Sequence, residues 1–81
     1  MVTIDLPSAP SNTELVVLAI NAGMPVKKRL ISMGIHAGDK IIKFHSASWG
    51  PILIRNNTVS SSKIAIGRRL AAKINVEYES E

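Results

Sequence analysis

The chain has 81 residues, 46% of them hydrophobic, and no cysteine, so it is a globular protein held by aliphatic packing without disulfides or a thiolate metal site. Its formal net charge of +4, from ten Lys and Arg against six Asp and Glu, is a modest excess that favours acidic partners. No apolar run reaches the ~20 residues of a membrane-spanning helix. The opening Met1 to Pro7 also lacks the basic-then-apolar order of a secretory signal, so a cytoplasmic location is expected.

In chain order, Val2 and Ile4 fit a short edge strand, and Leu6 to Asn12 (Leu-Pro-Ser-Ala-Pro-Ser-Asn) reads as a connector. Glu14 to Ile20 is a short apolar run rich in β-branched residues, the pattern of a buried strand. A helix follows. Pro25 suits its first position, Val26, Leu30 and Met33 make one apolar stripe, and Gly34 can take the left-handed conformation that ends it. Met24 and Met33 read as core filler.

Beyond Gly38 and Asp39 the pattern turns to strands. Lys40 to Ser46 and Pro51 to Arg55 flank a short loop holding Ala47, Ser48, Trp49 and Gly50, and so read as antiparallel neighbours. Asn56-Asn57 signals a turn, Ile64 to Ile66 another strand, and Gly67 to Lys73 one helical turn with Leu70 and Ala71 inward. Ile74 to Tyr78 alternates as a half-exposed last strand, and Phe44 is expected inside. The whole, 1–81, reads as a single domain with a lead-in over 1–13 and a core over about 14–78. Its class is mainly β: a small closed barrel of about five strands, an α-helix inserted after the first major strand, and a helical turn before the last.

No phosphate loop, nucleophile elbow or ordered triad is present, so no catalytic residue is assigned and an enzyme is not expected. His36, Asp39 and His45 form the one candidate metal-ligand group, of a chemistry suited to weakly held zinc or ferrous iron; their spacing matches no ligand motif and favours solvated turn and strand residues. Lys27, Lys28 and Arg29 on the helix and Arg68 with Arg69 near the last turn are candidate partner contacts for an acidic surface. Trp49 in its hairpin loop is a candidate binding anchor or a cover for the barrel mouth.

Arg29-Leu30-Ile31-Ser32-Met33-Gly34-Ile35 followed by Gly38, then Gly50-Pro51-Ile52-Leu53-Ile54, then Ile64-Ala65-Ile66, Ala71 and Ile74-Asn75-Val76, resembles the FeoA family of ferrous-iron-uptake accessory proteins. The match runs from about Leu15 to Val76. It departs at Ala37, where the family commonly has proline, and over Asn56 to Ser62, which is longer than the usual hairpin.

The resemblance implies an SH3-like barrel and a role beside FeoB, the membrane iron transporter with a cytoplasmic GTP-binding domain. It also implies an association with transition metals, through related domains at the C-terminus of DtxR-type repressors. Two alternatives remain. A nucleic-acid-binding barrel would use the positive charge, though so few aromatics weigh against it. A stand-alone metal-binding module would use His36, Asp39 and His45. Weak self-association is compatible with each.

Overall fold

The computed structural model describes residues 1–44, 48–58 and 63–80. Six strands form one antiparallel sheet: β1 (Val2–Asp5), β2 (Glu14–Ile20), β3 (Lys40–Lys43), β4 (Ile52–Asn56), β5 (Lys63–Ile66) and β6 (Ile74–Tyr78). Their spatial order is β1-β6-β2-β3-β4-β5. Helix α1 (Met24–Ser32) lies between β2 and β3, and the single turn α2 (Arg68–Ala71) between β5 and β6.

Alternation explains the core. Ile41 on β3, Ile52 and Ile54 on β4, Ile66 on β5, and Ile74 and Val76 on β6 are fully buried, joined by Leu15 and Val17 of β2. Leu30 of α1 and Ile35 just after it are buried with them, and Val26 and Met33 pack partly buried against the cluster, so the helical stripe covers the barrel interior as its spacing predicts. Ala71 is likewise buried, with Leu70 at its margin.

The end of α1 shows how local chemistry sets the path. Gly34 takes φ +93°, its N–H donates to the Ile31 carbonyl at 2.9 Å, and Ile35 N–H donates to Leu30 at 3.1 Å. That pair of bonds satisfies carbonyls the helix would otherwise leave open, and returns Ile35 to the core.

Several expectations change. The sheet has six strands, not about five. β1 and β5 at its two ends share no ladder among the described residues. The 3-10 turn (Leu6–Ser8) that follows β1 packs on α2, the turn that follows β5, and so links the two ends of the sheet. Leu6 to Asn12 is therefore more than a connector: Leu6 is fully buried and Ala9 nearly so. Asp5 caps this turn, its carboxylate accepting from Ser8 N–H at 3.2 Å.

Asn56 belongs to β4 and is buried, so the turn starts one residue later, at Asn57. Met24 is exposed at the start of α1 and fills no core. Phe44 points outward and is only half buried, because it falls on the opposite face from Ile41 and Lys43.

Candidate functional site: an apolar groove between β2 and α1

β2 is not buried along its length, contrary to the reading of Glu14 to Ile20 as a continuous buried run. Its register against β6 pairs Val17 with Val76 and then Ala19 with Asn75, so Leu18 is an extra residue, a β-bulge. The bulge resets the alternation: Leu18 and Ala19 are both exposed before Ile20 turns back inward. On its other edge β2 pairs with β3 only as far as Val16. Beyond that point it meets a turn, Gly38 N–H donating to Val17 carbonyl at 2.7 Å and Val17 N–H to Asp39 carbonyl at 2.9 Å.

The consequence is a surface groove of about 520 Å³. Leu18, Ala19, Ile20 and Asn21 form one wall, Lys27 and Ile31 of α1 the other, and His36 with Ala37 one end. Ile31 is 46% exposed and Leu18 39%, and the two line the same groove, so they form a joint apolar surface and are not scattered single side chains. The lining is mainly apolar, with one side-chain amide, one ammonium, one imidazole and no carboxylate.

The end of the groove is held from beneath. Asp39 is buried, and its Oδ2 accepts from His36 N–H at 2.9 Å and from Asn56 Nδ2 at 2.7 Å. His36 Nδ1 stands 3.3 Å from the same oxygen. Asn56 Nδ2 also donates to Gly34 carbonyl at 2.8 Å, while its Oδ1 accepts from Thr58 N–H at 3.0 Å. The helix end, the loop and the β4–β5 connection are thereby tied at one buried amide.

A second buried polar group holds the opposite seam. Lys43 points into the barrel and donates Nζ to Pro7 and Ala9 carbonyls, each at 2.7 Å, fastening the 3-10 turn to β3. Burial, followed by the nearby Arg68 charge, lowers its pKa below the ordinary lysine value, with Asp5 acting the other way.

Of the sequence candidates, Lys27 lines the groove, while Lys28 and Arg29 are exposed elsewhere on α1. Arg69 is exposed; Arg68 is partly buried and close enough to Lys43 to influence it. Trp49 stands 78% exposed at the hairpin tip. His36 and Asp39 come together, but as a turn whose carboxylate is already engaged, and His45 lies outside the described residues. Among the described residues no group of three His, Asp or Glu side chains converges as metal ligands would.

The groove and the two polar ties were not singled out from sequence. Lys43 was signalled by the same alternation that buries Ile41; the bulge had no local signal.

The FeoA domain model matches residues 4–78. The chain belongs to the FeoA family. It is 42% identical over 72 residues to a Methanocaldococcus jannaschii protein named "Putative Fe(2+) transport protein A", an alignment covering 89% of this chain and 83% of that one. A crystal structure described as the iron uptake regulatory protein FeoA superposes with a TM-score of 0.85 at 27% identity, covering 96% of this chain and 100% of that one. A manganese-dependent transcriptional repressor superposes at 0.82 and 18% identity, covering 95% of this chain and 42% of the repressor, a likeness of fold alone. These matches bear out the SH3-like FeoA architecture. Among the described residues of this FeoA domain no helix is long and apolar enough to cross a membrane.

Proposed function

We propose that this chain is a non-catalytic accessory protein of ferrous-iron uptake, acting in the cytoplasm by docking on the cytoplasmic part of the FeoB transporter. Family membership supplies the iron-uptake context. The observation that carries the docking is the groove, which leaves Leu18 and Ile31 open to solvent together beside Lys27.

An exposed apolar trough edged by a cation suits a segment presenting one or two aliphatic side chains next to a carboxylate. The aliphatic groups would bury against Leu18, Ile20 and Ile31. The carboxylate would meet Lys27, adding steering more than affinity. Iron is the transporter's cargo in this reading, and this chain need not hold it.

The test is titration of the purified cytoplasmic region of the cognate transporter by calorimetry. A complex at or below roughly 10 μM is expected, an affinity near 7 kcal/mol, and Ile31→Asp should abolish it. Absence of any complex with both proteins folded, or a complex indifferent to Ile31→Asp, defeats the proposal.

A further inference from the structure

A second surface lies on the outward face of β3, β4 and β5 and shares no residue with the groove. Arg55 and Lys63 are direct partners across β4 and β5. Like charges placed opposite one another in a sheet repel. No carboxylate among the described residues makes an ion pair with either. Glu14, on the same face, is separated from Arg55 by the intervening Ile42.

What holds the two cations is Phe44, whose ring centroid is 5.4 Å from Arg55 Cζ and 5.2 Å from Lys63 Nζ. Cation–π attraction offsets part of the repulsion but neutralises neither charge. Arg55 Nε is buried and donates to no acceptor among the described residues. Beside them Leu53 is 37% exposed, and Trp49 projects from the tip of the same hairpin.

We propose that this face is a peripheral contact for a bilayer surface carrying anionic phospholipid headgroups. Arg55 and Lys63 meet the phosphates, while Trp49 and Leu53 enter the zone between headgroups and acyl chains. Indole rings favour that interface because they join a broad apolar body to one N–H donor. A single-stranded nucleic acid would instead stack successive bases on several open aromatic faces; Trp49 offers one, and the Phe44 ring already carries two cations.

Trp49 is the sole tryptophan, so the unmodified chain reports its own binding. Vesicles of phosphatidylcholine with about one-third phosphatidylglycerol, compared with pure phosphatidylcholine, should alone shift the emission to the blue and sediment the protein, increasingly at low salt. Brominated acyl chains should quench the indole. Lys63→Gln, at an exposed position, should weaken sedimentation roughly fivefold, and Ile31→Asp should leave it unchanged, separating this surface from the groove.

Equal behaviour toward both vesicle types, indifference to Lys63→Gln, or no association with either would overturn the proposal. So would tighter binding to an oligonucleotide or an acidic peptide than to the anionic vesicles, or displacement by inorganic phosphate at ordinary buffer strength.

Discussion

Asn56 donates its side-chain amide to Asp39 Oδ2 at 2.7 Å, across 17 residues of chain. Both groups are buried, and the carboxylate oxygen also receives the backbone N–H of His36. Asp39→Ala would leave two donors without this acceptor inside the protein. Urea unfolding should show a loss of about 2–3 kcal/mol, with the slope against denaturant unchanged.

Leu30 is fully buried where α1 covers the barrel. A carboxylate there has no partner and cannot reach water. Leu30→Asp should cost about 4 kcal/mol or more, enough to unfold a domain of this size. Near-native thermal stability of that variant would contradict the placement of the helix.

Gly34 and Gly67 offer a controlled comparison. Gly34 holds φ +93°, whereas Gly67, before α2, sits at −57° with open space around its Cα. Gly34→Ala should destabilise by about 1–2 kcal/mol from backbone strain, while Gly67→Ala should stay within about 0.5 kcal/mol of wild type.

Lys43 predicts a pH dependence. Its folded pKa lies below the ordinary value of 10.5, chiefly because it is buried. Between the two values the unfolded chain holds a proton that the folded one has released, so this group makes stability rise with pH and level off above 10.5. Unfolding free energies for wild type and Lys43→Met, measured at neutral pH and near about pH 10, should diverge in favour of wild type. Parallel curves would show that the lysine titrates normally.

Leu18→Ser and Ile31→Ser probe the groove without touching the core. Both positions are substantially exposed, so stability should change by about 0.5 kcal/mol or less. Transporter binding should fall at least about tenfold for each, the loss of a buried aliphatic group at an interface. A large loss of stability would mean that these side chains serve packing.

The fold was largely legible in the sequence because its signals are local. Alternation marked β3, β4 and β6, while Pro25 and Gly34 bracketed α1, whose stripe pointed inward as expected. Leu6 escaped notice because its burial depends on α2, more than sixty residues away, and because the prolines around it suggest an exposed loop. The groove was hidden for a related reason. Glu14 to Ile20 looks like an uninterrupted core strand, and the bulge at Leu18 appears only when β6 is laid beside it. Lys27 stands out in the sequence only by its charge, whereas the fold places it beside Ile31 and Leu18.

Val2 pairs with Tyr78 in the β1–β6 ladder, so the first and last strands leave the sheet side by side. A polypeptide entering through one and departing through the other could carry this unit as an insert or an appendage, its two connectors emerging together and the groove untouched. The same property makes the fold portable, and it accords with the repressor of which a similar unit is less than half.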